Sequence, residues 1–243
     1  MARRHFFKHY TVFFSLLIAF AHTANCAEVL FYNGAGATSG EIADLEAMIT
    51  RAGYTYTAVN APELAAMTEA EIATYKLIVW PGGNSITQGN ALYQANPAIF
   101  TNVHNAVVKS GVSYIGFCAG SFIAETSSVY HTFDIARHYF NFYKQNAIDM
   151  VSLEFPQGSN MNVVYWNGPV VNFGYTIARF PNNAEAIGED FVGNGFVILS
   201  GLHPEAALNW GVSGYTAAEQ TVDNNYAVTL IKAAYTRSLL PHY

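Results

Sequence analysis

Apolar and polar positions fall into short blocks whose spacing changes along the chain. "EVLFYNG" (28–34) is an apolar run closed by Asn-Gly, which predicts a first strand and a turn. In "SGEIADLEAMITRAG" the residues Ile42, Leu45, Met48 and Ile49 recur at helical spacing. Ser39 is the candidate N-cap of that helix and Gly53 its stop. "YTYTAV" (54–59) alternates as a strand, and the capping-box pattern from Thr68 to Glu71 opens a short helix. "KLIVWPGG" (76–83) reads as a buried strand ending in a Gly-rich turn. A longer helix is expected within residues 97–110, and the strand "VSYIGF" (112–117) then runs into Cys118.

Strands and helices in alternation predict an α/β fold, with helices on both faces of a mostly parallel sheet. Gly-containing turns after residues 32, 80 and 117 should open on one sheet edge, where such folds gather ligands. After residue 145 the texture shifts to shorter β-like runs, "MNVVYW", "PVVNFGY" and "NGFVILS", separated by turn clusters. They predict a mixed or antiparallel section packed beside the first sheet. A helix over about 217–238 closes the chain. Neither a linker nor an internal repeat divides residues 28–243, which read as a single domain.

Residues 1–27 stand apart. Arg3, Arg4 and Lys8 precede the apolar "TVFFSLLIAFA", and small residues follow near Ala27, the pattern of a secretory signal peptide. "RRHFFK" also fits the twin-arginine export signal. The expected location is therefore the periplasm or the exterior, with no stable membrane insertion once the leader is removed. The chain has 11 basic and 17 acidic residues, and taking away those three basic ones leaves a net charge of −9. A chain this acidic, with no basic cluster, is a poor partner for nucleic acid. Loss of the leader also removes Cys26 and leaves Cys118 alone, with no internal disulfide open to it. A lone cysteine is ordinarily a small core residue. His104, His131 and His138 fit no metal spacing, and no metal site or cofactor is expected.

The setting of Cys118 argues for chemistry. Gly116-Phe117-Cys118-Ala119-Gly120 has the form of a nucleophile elbow with Cys in place of Ser. The sharp strand-to-helix turn strains the central residue, and glycines two positions either side relieve crowding. Downstream, "FVILSGLHPEAALNW" brings a strand into His203-Pro204-Glu205. A thiol needs a base, and the base needs a group that fixes its tautomer, so His203 and Glu205 suit those roles. Each also has a plain reading, as a turn-capping histidine and a first-turn acid. Pro81-Gly82-Gly83-Asn84 could offer backbone N–H groups to an oxyanion, with the N–H of Ala119 as second donor, or could simply turn the chain. Asn84, Tyr165 and Asn167 are candidate cleft residues.

These motifs, in this order, resemble the class I glutamine amidotransferase-like superfamily. More narrowly, "YIGFCAGSFIA", "YWNGP" and "SGLHPE" are similar to the domain found at the N-terminus of some biotin–protein ligases and as free-standing proteins. The resemblance implies a flavodoxin-like three-layer sandwich. It also implies Cys118 as nucleophile, His203 as base and then acid, Glu205 as its orienting partner, and Gly82, Gly83 and Ala119 as the oxyanion hole. The sequence carries no Gly-Arg-Gly-Arg biotin-ligase motif and no ATP-binding synthetase domain. The activity expected is therefore hydrolysis of a small-molecule or peptide amide, or an ester, through a thioester, without a cofactor. A silent binding or accessory protein and a thiol redox sensor are the alternatives.

Overall fold

The computed structural model describes residues 27–137 and 140–243. The signal peptide expected over residues 1–27 lies outside them except for Ala27, as does His138. In order, the first half contains β1 (Val29–Tyr32), α1 (Ser39–Ala52), β2 (Tyr56–Val59), α2 (Ala61–Ala65), α3 (Glu69–Ile72) and β3 (Leu77–Trp80). It continues with α4 (Ser85–Ala95), α5 (Ala98–Val108), β4 (Ser113–Phe117) and α6 (Ala119–Ala124). The second half contains β5 (Ile148–Glu154), β6 (Asn160–Trp166), β7 (Tyr175–Arg179), β8 (Glu185–Val192), β9 (Gly195–Ser200), a 3-10 turn at Leu208–Trp210 and α7 (Ala217–Thr236).

All nine strands share one sheet, in the order β2-β1-β3-β4-β9-β8-β7-β5-β6. The first five run parallel, and every pairing from β9 onward is antiparallel. Both faces of the central parallel strands are covered, so β1 and β3 are apolar throughout and β4 is buried along its whole length. Val29 and Phe31 point with Val79 and Ile115 into a core shared with Leu45 and Ile49 of α1 and Leu230 of α7. Leu30, Ile78 and Tyr114 point the other way, against Leu92 of α4 and Val103 of α5. This is a three-layer α/β sandwich, as the alternation of blocks predicts.

Local chemistry explains most boundaries. Thr38, one residue before the expected cap, accepts the Glu41 N–H to start α1, and Gly53 ends it at φ 92°. Thr68 and Glu71 form the expected capping box of α3. Two helices were not anticipated. An Asn60–Glu63 capping box with Pro62 near its start launches α2, and Asn84 caps α4 by accepting the Thr87 N–H. The later β-rich section departs from expectation in placement: it extends the same sheet rather than packing beside it, because β9 inserts between β4 and β8. "PVVNFGY" is not a strand for most of its length. Its Val171 and Phe173 are buried by a loop laid against β8, where a Cβ on Gly188 would come within 2.2 Å of the Phe173 carbonyl oxygen. Among the described residues, no helix is long and apolar enough to cross a membrane.

Candidate active site

At the carboxyl end of β4 the chain turns sharply into α6. Cys118 takes φ 47° and ψ −103°, a conformation that an L-residue keeps only when its surroundings impose it. Its N–H donates to the Ser200 carbonyl at 2.7 Å, tying the turn to the end of β9. Ser121 Oγ lies 2.9 Å from the carbonyl oxygens of both Gly116 and Ser200 and braces the same junction. The flanking glycines are required by space. A Cβ on Gly116 would lie 2.3 Å from the Gly120 carbonyl oxygen, and one on Gly120 would lie 2.4 Å from that of Trp80.

His203 leaves the end of β9, where its N–H donates to the Val164 carbonyl of β6 at 2.9 Å. Its side chain is buried, with Nδ1 at 2.8 Å from Glu205 Oε1. The turn carrying both residues is clamped from behind. Asn224 of α7 donates through Nδ2 to the carbonyls of Pro204 and Ala206 at 3.0 and 3.2 Å, and the Tyr215 hydroxyl donates to Ala206 at 3.0 Å. Trp210 closes over the imidazole edge-on, at 5.1 Å between ring centres. The Cys118 thiol donates to the Trp166 carbonyl at 3.3 Å, and sulfur and imidazole line the same cavity. Burial opposes charge on His203, but the charges of Cys118 and Glu205 and their hydrogen bonds outweigh it. They push the imidazole's pKa well above its ordinary value.

A second carboxylate meets the same ring nitrogen. Glu41, at the start of α1, is buried with Oε1 at 3.1 Å from His203 Nδ1, while its Oε2 accepts from the Thr38 hydroxyl at 2.7 Å. Burial raises the Glu41 pKa; His203 counters this and the Glu205 charge adds to it. Two buried carboxylates at one imidazole repel each other, so charge on Glu41 is disfavoured there. Sequence reasoning missed Glu41. The signal was present in Thr38-x-x-Glu41, but that is also what an ordinary helix cap looks like.

Glu41, His203 and Glu205 are a group whose donor atoms could converge on a metal ion, all within 4.8 Å of one another. Tetrahedral zinc with bonds of about 2.1 Å would hold its ligand atoms roughly 3.4 Å apart. The 2.8 and 3.1 Å separations here are hydrogen-bond lengths instead.

The Gly82–Gly83 turn packs directly on this cluster. A Cβ on Gly82 would lie 1.9 Å from Glu41 Oε1 and 2.6 Å from His203 Cε1, and Gly83 takes φ 109°. The N–H groups of Gly83 and Ala119 have no hydrogen-bond acceptor among the described residues. Asn84 is largely committed to structure: its N–H donates to the Gly36 carbonyl at 2.7 Å and its Oδ1 caps α4. Asn167, at φ 47°, accepts the Ala147 N–H through Oδ1. Both asparagines still border the space beside Cys118. Tyr165 corrects the sequence reading. Expected to line the cleft, it is fully buried, with its hydroxyl accepting from the Lys144 N–H at 2.8 Å. Strand alternation turns the half-exposed Trp166 toward the site instead.

Cys118 stands where two chambers meet. One, of about 430 Å³, runs along Thr38, Glu41, Trp166, His203 and Trp210. The other, of about 270 Å³, is walled by Phe122, Tyr130, Phe140 and Phe142 around Glu125. A larger cavity of about 620 Å³ lies between α7 and the β5–β6 hairpin and is bordered by none of these residues.

The sheet order and the arrangement of turns around it define a glutamine amidotransferase-like fold. The model of the family described as "Biotin-protein ligase, N terminal" matches residues 27–139, the family that the sequence motifs resemble. Among solved structures the chain is similar to a glutamine amidotransferase at 19% identity and TM-score 0.57, covering 84% of this chain and 98% of that one. It is also similar to a glutamine amidotransferase from Thermotoga maritima, at 12% identity and TM-score 0.56 over 86% of this chain and 96% of that one. A third is the exo-beta-1,4-mannosidase Op5Man5 from Opitutaceae bacterium strain TAV5, at 10% identity and TM-score 0.50, with 86% of this chain covering 36% of that one. At these identities the likeness is one of fold, and a glycosidase among the neighbours means that the fold alone does not name a reaction. No curated protein matches the chain.

Proposed function

We propose that the chain is an exported hydrolase that cleaves an amide or ester with Cys118 as nucleophile. His203 takes the thiol proton and sulfur attacks the substrate carbonyl carbon, moving the C=O electron pair onto oxygen. The N–H groups of Gly83 and Ala119, with the Gly82 turn behind them, receive that oxyanion. On collapse the bond to the leaving group breaks, and His203 passes its proton to the departing amine or alcohol. Water then gives a proton to His203 and attacks the thioester; the S–C bond breaks and the proton returns to sulfur. Glu205 keeps Nδ1–H in place and stabilises the imidazolium throughout.

The observation that carries this reading is the meeting of thiol, buried imidazole and carboxylate at a strained turn beside open space. The geometry also supports an amide or ester substrate, because two chambers flank the sulfur and offer one side to the acyl group and the other to the leaving group. Iodoacetamide at neutral pH tests the nucleophile. Cys118 is expected to be alkylated faster than a free thiol such as N-acetylcysteine, and His203→Ala is expected to abolish the advantage. A panel of amides, esters and peptides should then release product with wild type and not with Cys118→Ala. Equal release by both proteins would sink cysteine catalysis, and slow alkylation would favour a binding role.

A further inference from the structure

The smaller chamber contains a buried carboxylate for which the hydrolytic cycle has no use. Glu125 caps the C-terminus of α6 and is only 3% exposed, yet it lines the chamber that opens on Cys118. Oε2 accepts the Phe140 N–H at 2.8 Å, whereas Oε1 accepts from no described residue. Among the described residues no lysine, arginine or histidine forms an ion pair with Glu125. Its surroundings are aromatic. Phe122 and Phe142 sit 5.0 Å apart between ring centres, Tyr130, His131 and Phe140 extend that wall, and Ser85, Thr132 and Asn141 are among the polar residues beside it.

We propose that this chamber binds the positively charged group of the substrate, an ammonium or guanidinium carried next to the scissile bond. The proposal rests on the hydrolase reading for its second half, the position of the bond, while cation binding in the chamber stands independently. A largely buried carboxylate with one backbone donor and no cationic partner is costly, and a cation of the right size is what recovers that cost. Burial raises the Glu125 pKa to about 7, which is the same cost seen as a retained proton. Aromatic faces add attraction for an ammonium or guanidinium and none for an anion. The net charge of −9 left after removal of Arg3, Arg4 and Lys8 draws cations toward the molecule as a whole. At about 270 Å³ the chamber is just below the ~300–1,000 Å³ of sites that hold whole drug-sized ligands, so it fits a side-chain-sized group.

Phenethylamine and its neutral counterpart 2-phenylethanol are suitable probes, titrated into wild type and Glu125→Gln by calorimetry. Wild type is expected to bind the amine about tenfold or more tightly than the alcohol, and Glu125→Gln to lose most of that preference. The amine should also slow alkylation of Cys118 in wild type, which locates it beside the sulfur. Equal affinity for amine and alcohol, or a preference that survives Glu125→Gln, overturns the proposal. If Glu125→Gln does not fold, the two probes on wild type still decide, since protection of Cys118 by the amine and not the alcohol requires charge recognition at that site. Calorimetry does not depend on turnover. Amine binding without an active thiol would therefore sink the hydrolase reading alone, and an active thiol without amine preference would sink this one alone.

Discussion

At the scale of single residues, the site's logic is the sharing of one imidazole nitrogen. His203 Nδ1 has one proton to donate and two carboxylates within 3.1 Å. Glu205, at 2.8 Å, holds the shorter contact, while burial and the nearby Glu205 charge raise the Glu41 pKa against the pull of His203. Glu205→Gln is therefore expected to cut the Cys118 alkylation rate by roughly 10²–10⁴-fold, because the amide no longer supports the imidazolium. Glu41→Gln removes the longer contact and should cost much less; measuring both rates checks the ranking, and a reversed order would make Glu41 the principal partner of the imidazole. Cys118, His203 and Glu205 were legible in the sequence because each sits in a short motif with a mechanical reason at its own position. Glu41 was not, because its meaning arises only when α1 is laid against a turn 160 residues downstream. Tyr165 was misplaced for a related reason: alternation in β6 was legible, but not which face of it meets the sulfur.

At the scale of elements, the turn carrying His203 and Glu205 owes its position to α7. The amide of Asn224 spans the Pro204 and Ala206 carbonyls, so one side chain holds both sides of Glu205. Asn224→Leu leaves the Pro204 carbonyl without a donor and the Ala206 carbonyl with Tyr215 alone, and should destabilise the protein by about 1–3 kcal/mol. It should also slow Cys118 alkylation under conditions where the variant remains folded, measured by denaturant unfolding and by alkylation below the transition. Loss of stability with an unchanged rate would show that the turn holds itself. Helices with a capping signal followed by apolar periodicity, α1 and α3, could be read from sequence. The turns that launch α2 and α4 could not, since Asn60 and Asn84 look like turn residues until the backbone commits. The run "PVVNFGY" shows the converse: Val171 and Phe173 are as buried as strand residues, and burial alone does not say whether a ladder accompanies it.

At the scale of the molecule, the parallel half of the sheet followed from the order of blocks, whereas the strand order beyond β4 depends on pairings between distant segments that no local pattern encodes. The assembled fold also carries acids that only tertiary burial perturbs. Burial lifts Glu125 and Glu189 from an ordinary 4.5 to about 7, and Asp223 from 3.8 to about 7. Each keeps its proton longer when folded than when unfolded, so its contribution is complete at low pH and is lost as pH rises toward 7. The exposed Glu71 and Glu219, whose pKa values are lowered by their capping bonds, act in the opposite sense and below 4.5. Thermal unfolding should therefore show a midpoint that falls between pH 5 and pH 8, with Glu189→Gln flattening the fall. A midpoint that rises across that range would contradict the burial of these groups.

The sheet is not equally sealed along its width. β5 and β6 pair at seven positions, from Ile148↔Trp166 to Glu154↔Asn160, but β5 meets β7 through the single pair Glu154↔Arg179. By backbone ladder the hairpin is secured to itself more firmly than to β7, and its other ties are the Val164–His203 bridge and the packing of Val151, Leu153, Val163 and Tyr165 in the core. Its end carries Trp166 and Asn167 over the sulfur. An opening of that seam would lift the roof from Cys118 while leaving in place the elbow beneath it, which is tied to the end of β9.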